Sequence, residues 1–175
     1  VVPLAVLAAG ATGLLVEKLA IEPARNAGTV TLIIITIGVS LFLRGTAQFV
    51  WDKRIHSLPS FSGDVPIALF GATLLPQSLW VLGGATLAVV ALSWFFGRTL
   101  YGKAMLATSC NPLAARLVGI STRTVLLASF GLAAMLGALA GVLTAPITFT
   151  SYDMGVLLGL KGFAAAMLGG LGSFG

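Results

Sequence analysis

Residues 98–123, RTLYGKAMLATSCNPLAARLVGISTR, carry four basic side chains and no carboxylate, and they lie between two long apolar runs. A short cationic connection of this kind reads as a cytoplasmic loop of a membrane protein, because Lys and Arg accumulate on that side of a bilayer. Inside it, Asn111-Pro112-Leu113-Ala114-Ala115-Arg116-Leu117-Val118-Gly119 spells a helix with its own start and stop. Asn is a good N-cap, Pro suits the first helical position, and Gly suits the residue after the end. The sequence thus predicts a helix over Pro112 to Val118. It either stands in water as a docking device or lies on the membrane surface, held there by Leu113 and Leu117 at i and i+4.

Working outward, the 175 residues are 58% hydrophobic and 9% charged, with a mean hydropathy of +1.06. Such a composition belongs in lipid rather than in a soluble domain. Val1 opens inside an apolar run and Gly175 closes a Gly-rich one, so the chain reads as a piece of a longer polytopic protein. The opening lacks the basic start of a signal peptide. A span of roughly 20 residues crosses the hydrocarbon core. Five segments are drawn on that basis, at about 1–16, 28–45, 79–97, 124–143 and 154–172, as parts of a single transmembrane domain covering 1–175. Arg44 lies at the end of the second, where its long side chain snorkels.

The loops set the orientation. Lys18, Arg25, Arg98, Lys103, Arg116 and Arg123 fall on one side of this ladder, against Arg44, Lys53 and Arg54 on the other. The richer side is cytoplasmic by the positive-inside rule. Loop 98–123 then faces inward and loop 46–78 outward. The outer loop carries Trp51, His56, Pro59, Pro66 and Pro76, which predicts an irregular connection with one short helix near Ile67 to Leu75. The polar stretch Glu17, Lys18, Glu22, Pro23 and Arg25 reads as a turn. The formal charge of +5 therefore reports membrane orientation, not affinity for nucleic acid.

Small residues punctuate the last two spans. Gly131, Gly137 and Gly141 in the fourth, with Ala133, Ala134, Ala138 and Ala140 between them, and Gly159, Gly162 and Gly169 in the fifth, are spaced so that helix backbones can approach closely. One reading is tight packing in a bundle; the other is a broken helix lining a passage. Lys161, between Gly159-Leu160 and Gly162-Phe163, costs roughly 2.5 to 3.5 kcal/mol at the centre of a span, so it either lines protein or water or snorkels from a shallow position. Asp153 lies eight positions earlier and points about 80° away at 100° per residue, which is poor for an intrahelical ion pair. Thr36 and Ser40, four apart, either line a polar face or bond back to their own helix.

Signatures of catalysis are missing: there is no Gly-rich loop ending in Gly-Lys-Ser or Gly-Lys-Thr, no paired carboxylates in a span and no His-Glu-x-x-His. The chain therefore reads as one that does not hydrolyse nucleotides by itself. Its single cysteine, Cys110, cannot form an internal disulfide, and His56 has no second His or Cys near it to suggest a metal site.

Several strings now carry a resemblance. Asn111-Pro112-Leu113-Ala114-Ala115-Arg116-Leu117-Val118-Gly119-Ile120 is similar to the coupling helix of ABC importer permeases. Thr36-Ile37-Gly38-Val39-Ser40-Leu41, the turn Glu17-Lys18-Leu19 with Pro23 and Arg25, and Gly159-Leu160-Lys161-Gly162-Phe163 continuing to Ser173 resemble the branched-chain amino acid (Liv-type) permease family. The likeness covers most of the chain in order. The family's Asn-Phe-Ala-His-Gly stretch is absent from this sequence.

The resemblance implies an all-α fold, a polytopic membrane bundle of about five transmembrane segments with one short cytoplasmic coupling helix. It implies a permease subunit of a bacterial inner-membrane ABC importer for branched-chain or other hydrophobic amino acids, or for urea or short amides. Its partners would be ABC ATP-binding subunits that hold ATP and Mg, a second permease subunit as a homo- or heterodimer, a periplasmic substrate-binding protein and the lipid bilayer. No cofactor is expected on the chain itself. Asn111, Pro112, Ala114, Ala115, Leu117, Gly119 and Ile120 would form the ATPase-coupling site. Thr36, Ser40, Lys161 and Phe163 are candidates for the substrate path. An ion-coupled secondary transporter or a passive channel are the rival classes; the first usually needs intramembrane acids, and the acids here fall at span edges or in loops.

Overall fold

A computed structural model describes residues 2–24, 27–51, 60, 63, 67–69, 72–148, 151 and 154–170. Helix α1 (Val2–Val16) continues into a π turn (Glu17–Ile21), followed by α2 (Thr29–Trp51) and a small hairpin of β1 (Ile67–Leu69) and β2 (Ala72–Leu74). Helices α3 (Pro76–Arg98), α4 (Leu100–Cys110), α5 (Pro112–Leu117), α6 (Thr122–Thr148) and α7 (Met154–Leu168) complete the chain. The fold is a polytopic helical bundle. Four of its helical segments, Val2–Ile21, Val30–Val50, Pro76–Arg98 and Thr122–Thr148, are long and apolar enough to cross a membrane. Helix α7 has 15 residues, short of a full crossing, so the fifth expected span is not completed within the described residues.

Boundaries differ from the sequence reading in instructive ways. Arg44 does not end α2: its Nε donates to the Ser40 carbonyl at 3.4 Å, and the helix runs on to Trp51 through residues expected in the outer loop. Helix α6 has 27 residues, about 40 Å at 1.5 Å per residue, and so extends beyond the expected 124–143 into the loop region. The helix expected near Ile67 to Leu75 is instead the antiparallel hairpin, with Ile67 opposite Leu74 and Leu69 opposite Ala72. Gly71 interrupts helical propensity, and three residues on either side of a two-residue connection suit sheet pairing better than a helical nucleus. His56 and most of the outer loop lie outside the described residues.

Helix α6 is the hub, packed by α1 on one flank and by α3 on another. Glycine makes the first approach possible. A Cβ on Gly13 would stand 2.6 Å from Ala134 Cβ and 2.9 Å from the Phe130 carbonyl oxygen; one on Gly10 would stand 2.6 Å from Met135 Cε, and one on Gly131 2.9 Å from Leu14 Cδ2. In lipid no hydrophobic force draws helices together, so such backbone proximity is what gains dispersion energy. Of the glycines expected to pack, Gly131 is in contact, whereas Gly137, Gly141, Gly159 and Gly162 have open space where a Cβ would be, and Gly169 meets only carbonyl oxygens of Ala165 and Ala166. Spacing placed them on common helix faces without saying which face meets a neighbour. On the α3 flank, buried Gln77 donates from Nε2 to the Leu143 carbonyl at 2.9 Å, close to Pro146, where the α6 ladder lacks an N–H donor.

The loop of residues 98–123 is more ordered than a charged connection suggests. Thr99 caps α4 by accepting from the Gly102 amide at 3.0 Å while its own hydroxyl donates to the Phe95 carbonyl at 2.7 Å. Gly102 is obligatory at this corner, since a Cβ there would collide with the Phe95 and Phe96 backbone. Helix α5 is closed at both ends. Asn111 Oδ1 accepts from the Leu113 and Ala114 amides, each at 3.1 Å, and Pro112 supplies a pre-set first residue. At the other end Gly119 has φ +85°, its amide bonds the Arg116 carbonyl, and the Ile120 amide reaches back to Ala115, a Schellman closure. A six-residue helix is otherwise too short to persist in water.

Replacing Gly13 by Ala is expected to lower stability by about 1–3 kcal/mol, because rigid atoms of α6 must shift. Gly137→Ala should change stability by less than about 1 kcal/mol and in the stabilising direction. Apparent Tm values in detergent check both. Asn111→Ala should cost about 1 kcal/mol of local helix stability, read as about fivefold faster amide hydrogen exchange at Leu113 and Ala114.

Candidate functional site

The ends of α1 and α6 meet α4 and α5 around a cavity of about 360 Å³. Its charged lining comes from Glu17, Glu22, Arg116 and Arg123, with hydroxyls from Thr108, Ser109, Thr122 and Ser129 beside them. The π turn sets the first of these. Its wider hydrogen bond, from the Glu22 amide to the Glu17 carbonyl at 2.8 Å, changes the phase of the side chains relative to α1. Glu17 thereby turns inward and is only 1% exposed. The sequence reading placed it in a polar turn; the structure carries the helix past it and buries it.

Four charged groups share the cavity, and they are satisfied unequally. Arg123, in the first turn of α6, forms an ion pair with Glu22. Arg116 on α5 donates from Nε to Thr122 Oγ1 at 3.0 Å, tying the small helix to the start of α6 through a neutral hydroxyl. Glu17 Oε2 is buried with no hydrogen-bond partner among the described residues. A buried carboxylate left without a full set of partners is costly, and such groups gather where proteins store the capacity to change state.

The expected coupling residues form one compact element, with two faces. Asn111, Pro112, Ala114 and Gly119 are exposed, and Ile120 is half-buried. Leu113 is 71% and Leu117 89% exposed, and Val118 stands out beside them. Ala115, in contrast, is 3% exposed and faces its own chain. The outer face of α5 is therefore apolar and available, whereas Ala115 seats the helix on the bundle and offers nothing to a partner. Of the residues expected at the coupling site, Ala115 is thus the one buried against its own chain.

The expected path residues are divided. Thr36 and Ser40 line a second cavity, of about 340 Å³, together with Val16, Arg44, Phe130 and Gly155. Thr36 Oγ1 donates to the Ile33 carbonyl at 2.8 Å, so its hydroxyl is engaged by its own helix. Lys161 and Phe163 are not part of that cavity. They stand exposed on α7, which is exposed from Gly159 onward. Asp153 lies outside the described residues. Two residues that the sequence reading did not place at a site matter most for the architecture. Glu17 was detectable as an acid following 16 uncharged, largely apolar residues, a position that marks function by default. Gln77 gave no local signal.

Comparison with known proteins matches residues 1–174 to the family described as branched-chain amino acid transport system / permease component. The high-affinity branched-chain amino acid transport system permease protein LivH of Salmonella typhimurium is 33% identical over 177 residues, covering 97% of this chain and 56% of that protein. BraD of Pseudomonas aeruginosa, with the same description, is 28% identical over 185 residues, covering 98% and 60%. The autoinducer 2 import system permease protein LsrC of Escherichia coli is 31% identical over 148 residues, covering 82% and 41%. The chain spans about half the length of the curated relatives it matches. No solved structure matches it. With four apolar helices of crossing length and a family match over nearly every residue, the chain belongs to the branched-chain amino acid transport system permease family.

Proposed function

We propose that the chain is the membrane-spanning permease part of a bacterial inner-membrane ABC importer for branched-chain or other hydrophobic amino acids. ATP and Mg are held by partner ATP-binding subunits; a second permease subunit and a periplasmic substrate-binding protein complete the assembly. The observation that carries this reading is α5: a helix capped at both ends, presenting Leu113, Leu117 and Val118 outward at the basic end of the bundle. An exposed apolar face on a rigid element is a docking surface rather than a solvated one. The names of LivH and BraD support the cargo class. The name of LsrC, an import system permease protein for autoinducer 2, supports the direction of transport.

In this mechanism the ATP-binding subunits grip the outer face of α5 and move it as one body when they close on nucleotide. Helix α4 passes the motion to α3 at the Gly102 corner, and the Arg116–Thr122 bond passes it to α6. The bundle then has two arrangements, as coupling of this kind requires. The cavity holding Thr36 and Ser40 lies between α2, α6 and the start of α7, where relative motion of these helices would open or close a passage.

Leu117→Glu places a charge in the docking face without touching the buried side of α5. It is expected to reduce co-purification of the ATP-binding subunits at least about tenfold, which corresponds to 1.4 kcal/mol of lost contact, with membrane insertion unchanged. Full co-purification and full uptake would remove the docking reading. Cys110, exposed at the end of α4, should react with a membrane-impermeant maleimide only from the cytoplasmic side. Uptake that survives ATP depletion and collapses with the ion gradient would point to a secondary transporter instead.

A further inference from the structure

The cavity beneath α5 holds a charge mismatch. Glu22 and Arg123 satisfy each other. The remaining two ionic groups do not: one Glu17 oxygen, Oε2, is buried without a partner among the described residues, and the Arg116 guanidinium is bonded to the Thr122 hydroxyl. Both line the same cavity, and they belong to elements that the proposed mechanism moves relative to each other, the π turn ending the first span and the coupling helix. Lys18, the neighbour of Glu17 in the π turn, is exposed and does not line the cavity. Lys103 is exposed on α4 and is likewise absent from the lining.

We propose that Arg116 and Glu17 close an ion pair across this cavity when α5 is pressed toward the bundle, so that the Glu17 carboxylate is the receiving half of a latch between the coupling helix and the first span. The inference rests on the reading of α5 as the site gripped by ATP-binding subunits, and it adds the residue that takes up the movement. In the arrangement described here Arg116 is held by Thr122 and Glu17 waits. In the nucleotide-closed arrangement the guanidinium leaves the hydroxyl for the carboxylate. The exchange gives the bundle two discrete states separated by one side-chain transfer, with a bonding gain available only in the second. A purely structural glutamate would instead have its partners in place already. Glu17 and Arg116 are thus positioning residues: they set the register between α5 and α1 and touch no cargo.

The test uses the complete permease assembled with its ATP-binding subunits in lipid nanodiscs. Glu17→Cys and Arg116→Cys are combined in a Cys110→Ser background, and cross-linking by a short bis-thiosulfonate is timed without nucleotide and after trapping with ATP and vanadate. The latch predicts at least about fivefold faster cross-linking in the trapped state, a population shift of the kind a two-state element shows. Equal or slower cross-linking there overturns it. Glu17→Gln, Arg116→Gln and the double variant are then compared for ATP hydrolysis by the assembled complex. Partners in one pair predict that the double loses no more activity than the worse single, whereas losses that multiply indicate independent structural roles and overturn the proposal. Retention of the ATP-binding subunits separates the two readings. If the unaltered chain fails to retain them, the docking reading falls and the latch with it. If only the Glu17 and Arg116 variants lose them, docking stands and Glu17 is structural.

Discussion

The close approach of α1 to α6 is the contact on which the rest of the molecule depends. Gly10, Gly13 and Gly131 remove the side chains that would hold the two helices apart, and Met135, Ala134 and Leu14 fill the space. Because lipid tails are as apolar as the side chains, burial alone gives little reason for these helices to associate, and the fit of surfaces must supply it. This contact fixes where the end of the first span lies relative to the start of α6. It brings the π turn beside Arg123, allows the Glu22–Arg123 pair, and seals Glu17 from solvent. Without the glycines the cavity beneath α5 would have no wall on that side.

The second flank of α6 works on different chemistry. There α3 leans on Gly84, where a Cβ would collide with Leu143, and on the buried Gln77 amide bonded to the Leu143 carbonyl. A polar side chain used between helices contributes modestly in a bilayer, roughly 0.6 kcal/mol on average, yet it is directional in a way that apolar contacts are not. Helix α6 is therefore held by shape near its middle and by a directed hydrogen bond towards its far end. The large apolar side chains on the outer faces, Leu4, Ile34, Leu87 and Val89 among them, stay exposed. In water such a surface would aggregate; against lipid or neighbouring subunits it is the ordinary condition.

What the sequence revealed, and what it hid, follows the range of the interactions involved. Helix α5 was legible because everything that defines it is local: Asn111, Pro112 and Gly119 act on amides and carbonyls within a few residues. The long spans were legible because hydropathy integrates over many residues. Helix α4 escaped because its cap at Thr99 is a single hydroxyl amid a charged stretch. Which of the small residues meet a neighbour within this chain was hidden for a deeper reason. Spacing of four places Gly137 and Gly141 on one face, but only the position of α1 shows that the occupied face of α6 is the one bearing Gly131 and Ala134. At the candidate site the outer apolar face could be read from the sequence, while the inward turn of Ala115 and the burial of Glu17 depend on contacts between elements far apart in the chain.

Rigidity and looseness are distributed around the cavity in a way that favours transmission. Helix α5 is closed by caps at both ends, so a load on Leu113 and Leu117 moves it as a unit instead of unwinding it. Its side-chain tether to α6 is the hydrogen bond of Arg116 to Thr122, between exposed or half-buried groups and therefore readily exchanged. Beyond that bond α6 runs unbroken for 27 residues and meets its proline only at position 146, where the α3 clamp lies. A displacement entering at Thr122 thus acts on a stiff rod with a weak first joint and a directed contact near its other end. In the proposed mechanism a strong tether would fix α5 to the bundle, and a kink in α6 near Gly131 would spend the motion against α1. An exchangeable hydrogen bond at Thr122, a long helix and a directed hydrogen bond from Gln77 near its far end are the order the proposed coupling would use.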